Sequence, residues 1–273
     1  MRSEHPWKQR KTTLTALAAI FLPFFAGETS AGGRPLAPGD GELIVSAIRT
    51  TADERYDANG TKQWKPRYTK YEIAPYAEYG LTEWLTLVGE IAWASEKTDF
   101  FGIEFEDRGF TRLKAGGRVA LGTWNDAHFS VQPLATLHLA GDTNDPAATG
   151  SGDIDTELAL IVAQNDTLLG IDIFTVQEVG YRYRDRDRPD EVRADITLGL
   201  KPWPGIMLLA KSLNTVATRP TPAGQSFQSG KVALSLVYDI TSDCALEAGI
   251  ERSVFGRNAI VEDGLRLAVW YRF

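Results

Sequence analysis

Apolar and polar residues alternate with a period of two along most of this chain. In the run VRADITLGLK, Val192, Ala194, Ile196, Leu198 and Leu200 fall on one side and Arg193, Asp195, Thr197 and Lys201 on the other. The same split sets Ile154, Leu158, Leu160 and Val162 against Asp155, Glu157 and Ala159, and Val232, Leu234, Leu236 and Tyr238 repeat it in KVALSLVYDI. Side chains of a strand point alternately to opposite faces, so this period predicts strands with one greasy and one charged face. Twelve such segments are expected, near 42–52, 67–79, 84–96, 110–121, 128–140, 153–163, 168–183, 192–201, 206–215, 230–240, 245–255 and 264–273. The last one ends the chain, with Leu265, Leu267, Val269, Tyr271 and Phe273 opposing Arg266, Ala268, Trp270 and Arg272. Pro75 and Pro133 fall inside predicted strands and each removes a ladder donor, so a bulge is expected at both.

The connections also alternate. Short turns are expected near Gly80–Glu83, Gly122–Ala127, Gln164–Thr167, Pro202–Gly205 and Thr241–Asp243. Longer polar loops are expected near Ala52–Pro66, Lys97–Arg108, Gly141–Gly152, Arg184–Asp190, Thr215–Ser229 and Gly256–Asp263. An even strand count with short turns at one end and long loops at the other is the pattern of an antiparallel transmembrane β-barrel. A β-sandwich with Greek-key crossovers has no reason to keep that rhythm. Aromatic residues collect near both ends of the segments (Tyr79, Trp84, Phe129, Trp203, Tyr238, Tyr271 and Phe273 at one, Trp93, Tyr181, Tyr183 and Phe255 at the other), as interfacial girdles do.

The N-terminus reads as a secretory leader. Arg2, Lys8, Arg10 and Lys11 precede the apolar run LTALAAIFLPFFA, and small residues then allow a cut after Ala31. That run is too short to span a bilayer, which takes about 20 apolar residues. The expected organisation is a leader over 1–31 and a barrel over 32–273. A net charge of −7 argues against a nucleic-acid partner, and the single cysteine, Cys244, permits no internal disulfide.

The terminal strand, with Leu267, Val269, Tyr271 and a final Phe273, resembles the assembly signal of bacterial outer-membrane β-barrel proteins. That resemblance implies residence in the outer membrane and recognition by the barrel-assembly machinery. EYGLTEWLTLVGE (residues 78–90) and LLAKSLNT (residues 208–215) are similar to the phenol meta-degradation, transporter-like outer-membrane family. The chain departs from that family where a glycine-rich GLGD would enter the fourth strand and EDRGFTRLKAGG stands instead. The resemblance implies a channel for small, aromatic or hydrophobic solutes.

Charges crowd the face opposite the greasy one. Lumen-lining positions are expected at Glu72, Glu90, Arg112, Lys114, Arg118, Asp153, Asp155, Glu157, Asp172, Glu178, Arg193, Asp195 and Arg266. Each Arg or Lys facing hydrocarbon at mid-depth costs roughly 2–4 kcal/mol, so these groups belong inside. Twelve acids and twelve bases share that face, which favours cross-strand pairing; the same groups can set the field of a narrow pore. A closed structural or partner-binding barrel is the alternative to a channel. RDRDRPDE (residues 184–191) reads most simply as a solvated loop, one whose arginines can touch lipopolysaccharide phosphates. An outer-membrane hydrolase would need a serine beside a histidine. Ser130 and His138 share one face, but eight residues put them about 27 Å apart at strand rise. No Gly-x-Ser-x-Gly elbow, metal-ligand spacing or phosphate loop occurs, so neither a catalytic residue, a metal nor a cofactor is expected.

Overall fold

The computed structural model describes residues 33–139, 152–185, 188–220 and 226–273. The expected leader lies outside these described residues. Twelve strands follow in chain order: β1 (Gly41–Tyr56), β2 (Lys62–Thr82), β3 (Leu85–Phe100), β4 (Ile103–Trp124), β5 (Ala127–His138), β6 (Ile154–Leu168), β7 (Ile171–Arg184), β8 (Glu191–Trp203), β9 (Ile206–Ala217), β10 (Gln228–Asp239), β11 (Cys244–Arg257) and β12 (Ala259–Arg272). Each pairs antiparallel with the next, and β12 pairs with β1, so the sheet closes into a barrel. At the seam the Gly41 N–H donates to the Phe273 carbonyl at 2.6 Å, and the Phe273 N–H donates back to the Gly41 carbonyl at 2.9 Å. The final aromatic residue is therefore part of the closing ladder.

Alternation decides what each face meets. Ile73, Leu87, Leu113, Leu158, Leu160, Ile196, Leu234, Ile250 and Leu267 are all exposed on the outside. A water-soluble surface rarely carries an apolar patch beyond a few hundred Å². A closed barrel in lipid satisfies such a belt, since its strands pair all the way round and leave no open edge. Tyr79, Trp84, Trp203, Tyr238, Tyr271 and Phe273 fringe the end where the short turns lie, the turn end, and Tyr181, Tyr183 and Phe255 fringe the other.

Three expectations need correction. Neither Pro75 nor Pro133 makes a bulge. The β2–β3 ladder skips the pairs at Ala74 and Pro75 and resumes in the same register at Tyr76 opposite Glu90; the β4–β5 ladder likewise keeps register across Pro133. Losing a donor costs pairs without inserting a residue. The turn expected at Gln164–Thr167 lies inside β6, and the chain reverses at Leu169 and Gly170, with φ of 54° and 79°. Two left-handed residues suit a two-residue hairpin, and Leu168 and Ile171 on either side hid it in an apolar run. Finally, much of the expected loops Ala52–Pro66, Lys97–Arg108 and Gly256–Asp263 is strand. β2 and β4 are 21 and 22 residues long, and the chain turns at Phe101–Gly102 and at Asn258. These extensions stand beyond the apolar belt, where both faces are wet and a ladder persists without alternation.

Candidate functional site

The candidate site is the barrel interior, whose wall has two unlike arcs. One arc is charged and follows from register. Ala92 stands opposite Arg112, Glu90 opposite Lys114, Glu157 opposite Arg182 and Gly180 opposite Arg193, so long inward side chains from neighbouring strands converge. Arg112 donates to both oxygens of Glu72 at 2.9 Å and to Glu90 at 2.6 Å, while the Lys70 ammonium lies 2.6 Å from Glu72. Lys114 is looser, 3.9 Å from Glu90. Arg118, nearer the turn end, grips Glu78 at 2.7 and 2.9 Å and Gln132 at 3.1 Å; the Tyr76 hydroxyl donates to the same Glu78. Across β6–β8, Arg182 bridges Glu157 at 2.7 Å and Glu191 at 3.1 Å, and Arg193 bridges Glu157 at 3.0 Å and Asp195 at 2.6 Å. At the end opposite the short turns Arg184 meets Glu191 at 2.6 Å, and Arg188 reaches Asp155 at 2.5 Å and Asp153 at 3.3 Å.

The remaining expected positions are less tied. Arg266 lies 3.1 Å from Glu247. Asp172 accepts from the Thr167 hydroxyl at 3.1 Å. Glu178 stands opposite Asp195 in register and makes no ion pair among the described residues. Of the twelve inward bases, ten lie at ion-pair distance from a carboxylate. Among the described residues Lys201 and Lys211 do not. Buried charges demand such partners, because an uncompensated one in a low-dielectric interior is expensive.

The other arc is apolar. Phe174, Met207, Leu209, Val237 and Ala245 form a buried cluster, with Val176 and Trp270 packed against it. Phe174 lies flat on the wall because its partner in register is Gly199; a Cβ there would sit 2.0 Å from the ring. The Trp270 indole donates to Glu247 at 3.0 Å, which uses the second oxygen of the carboxylate held by Arg266. A cavity of about 1220 Å³ opens between the two arcs at the turn end, lined by Glu78, Arg118, Phe174, Leu209, Lys211 and Trp270 among others.

A third component went unread in the sequence. The segment ahead of β1 crosses the lumen. A Cβ on Gly33 would lie 2.8 Å from Val176 on β7, whereas the Arg34 carbonyl accepts from Arg118 at 3.2 Å and the Leu36 N–H donates to the Thr86 hydroxyl of β3 at 2.8 Å. Gly80 lets it pass, since a side chain there would stand 2.0 Å from the Ala37 carbonyl. The run GGRPLAP carries neither period nor charge pattern to announce this path. As for the serine and histidine of β5, Ser130 is buried, and His138 bonds Asp155 through Nε2 at 2.9 Å, eight residues further along the strand.

No protein-family model matches the chain, and no curated protein matches it either. Among solved structures, the COG4313 outer membrane channel from Pseudomonas putida F1 shares the fold with a TM-score of 0.70 at 14% identity, over 90% of this chain and 100% of that one. The translocator domain of the autotransporter NalP from Neisseria meningitidis aligns with a TM-score of 0.52 at 11% identity, covering 89% of this chain and 91% of its own. The NanC porin aligns with a TM-score of 0.51 at 10% identity, covering 84% and 98%. The fold is that of the bacterial outer-membrane β-barrels, twelve-stranded and closed. The resemblance drawn from the sequence to a transporter-like family is met at the level of that fold.

Proposed function

We propose that this barrel is an outer-membrane channel that passes small, aromatic or hydrophobic solutes passively through a narrow charged lumen. The observation that carries the reading is the cavity of about 1220 Å³ inside a closed wall, one arc apolar and the other charged. A solute with a hydrophobic body finds contact on one side and a hydrated, polar path on the other. Glu72, Glu90, Arg112, Lys114, Arg118, Asp155, Glu157, Arg193 and Asp195 set the field along that path in this reading. The turn end faces the periplasm, and the long-strand end with Arg184 and Arg188 faces lipopolysaccharide. Leu267, Val269, Tyr271 and Phe273 serve the barrel-assembly machinery as its recognition strand.

A second reading has specific support. The ion-pair lattice and the segment at residues 33–37 both fill the lumen, as a closed structural or partner-binding barrel would require. Planar-bilayer recording separates the two: discrete conductance steps and liposome swelling with small organics are expected of the channel. A barrel that shifts on a gel when heated yet stays electrically silent is the closed one. Hydrolysis of phospholipid that disappears in Ser130→Ala would replace both with an enzyme.

A further inference from the structure

Among the inward charges, Lys211 is unusual in what surrounds it. Its partners in register are Thr197 on β8 and Ala233 on β10, neither of them acidic. Among the described residues it makes no hydrogen bond or ion pair. The charged groups whose fields reach it are Glu247, Glu251 and Arg266. Glu247 is fully engaged, by Arg266 through one oxygen and by Trp270 through the other. Glu251 lies in the same row but a strand further on, beyond Ala233. Lys201, the other free lysine of the cavity, differs because Asp172 stands directly opposite it.

The apolar cluster lies immediately toward the turn end from Lys211. Leu209 is two residues away on the same strand and face, and Phe174, Met207 and Trp270 line the same cavity. An ammonium at the edge of an apolar wall is the arrangement that receives an amphipathic anion, because the body removes apolar surface from water while the head makes a charge-assisted bond. Acids elsewhere in the cavity do not compete for the ammonium. Arg118 holds Glu78, and Arg272 lies 3.5 Å from Glu42 and 3.6 Å from Asp239. Glu178 stands on β7 opposite Asp195, two strands away from Lys211.

We propose that the turn end of the lumen holds a subsite for an apolar monocarboxylate, an alkyl or aryl acid whose body lies on Phe174, Leu209 and Trp270 and whose carboxylate pairs with Lys211. The proposal rests on the channel reading and gives that reading a substrate class. Lys211 is then the head-group anchor, and the ion-paired lattice beyond it keeps the carboxylate from being drawn onto a competing arginine.

The test uses the full chain, purified and refolded, with hexanoate as probe and hexan-1-ol as its uncharged counterpart. In planar bilayers hexanoate is expected to reduce conductance at concentrations where hexan-1-ol does not. Lys211→Met should weaken that block about tenfold, the scale of one lost charge-assisted bond, whereas Lys211→Arg and Lys201→Met should leave it near wild type. Equal block by acid and alcohol, or unchanged block in Lys211→Met, overturns the subsite. If the wild-type barrel is silent, the channel reading falls, and calorimetric titration with hexanoate still decides the subsite: binding that Lys211→Met abolishes supports it, and no binding overturns it. Should Lys211→Met fail to show the heat-dependent gel shift of a folded barrel, the comparison passes to Leu209→Asn, which should weaken hexanoate and leave acetate unaffected; equal affinities for hexanoate in that variant and the wild type overturn the proposal.

Discussion

Along β2–β4, and along β6–β8 away from the turn end, the inward side chains include acids and arginines bonded to one another, whereas on β9–β12 near the turn end they are Met207, Leu209, Val237, Ala245 and Trp270, joined by Phe174 of β7. Both arcs come from the same period of two and the same register rules. They differ in how each is held. In the apolar arc every contact is individually weak and replaceable, so a lost methylene is felt in proportion to the space it leaves. In the charged arc a paired group is retained by a partner that would be stranded without it, so the cost of truncation is set by what remains. A lumen wall with both properties can be rigid on one side and adaptable on the other, which suits selection of a solute by body shape against a fixed field.

The sharpest break in that comparison is Arg118→Met. Arg118 is only 4% exposed and holds Glu78, Gln132 and the Arg34 carbonyl, so its loss strands Glu78 in the wall. Breaking a buried pair from one side costs about 3–5 kcal/mol, and urea unfolding of the refolded barrel should show a loss of that order. Adding Glu78→Gln should recover most of it, since the stranded charge is then gone. A loss under about 1 kcal/mol in the single variant would mean that the lattice is not what holds this arc.

A smaller effect is expected on the apolar side. Gly199→Ala puts a Cβ 2.0 Å from the Phe174 ring, so the ring must lift from the wall into the cavity. Overpacking of this kind costs about 1–3 kcal/mol. It should also lower conductance, because the displaced ring enters the path. Stability lost without any change in conductance would show that Phe174 moves along the wall rather than into the lumen.

How much of this was legible in the residues varies with the physics. The twelve strands and the inward parity of Glu72, Arg112, Glu157 and Arg193 could be read because the bilayer enforces alternation: a charge cannot sit on the lipid face, so the pattern is nearly obligatory. Beyond the apolar belt that constraint lapses. The overhangs of β2 and β4 therefore looked like loops, and the hairpin at Leu169–Gly170 vanished into apolar neighbours. The apolar arc was hidden for a different reason. Phe174, Leu209 and Trp270 are far apart in sequence, and each alone reads as one hydrophobic residue on a charged face. The isolation of Lys211 depends on Thr197 and Ala233 being its neighbours, which only register discloses. The crossing of residues 33–37 depends on glycines that admit backbone and on no side-chain pattern.

The mildest test concerns the mouth opposite the turn end, where the charged arc continues into the connection between β7 and β8. Asp190 lies just outside the strands. The Arg184 N–H donates to one of its oxygens at 3.0 Å and the Tyr181 hydroxyl to the other at 2.7 Å. These two bonds, the backbone one foremost, hold its carboxyl below the usual carboxylate range. A carboxylate lowered on folding stabilises the folded form above its unfolded value, about 3.9, and that contribution is lost as pH falls through the lower folded value. Protection of the Arg184 amide from hydrogen exchange should therefore be flat from neutral pH down to about 4 and fall below it. Asp190→Asn should show weakened protection and no such acid transition. The amides of β9 and β10, which border the apolar arc, should be indifferent to both the acid and the substitution. If acid loosens β9 and β10 together with the mouth, the two arcs are not independently held, and the contrast between a fixed charged side and an adaptable apolar side fails.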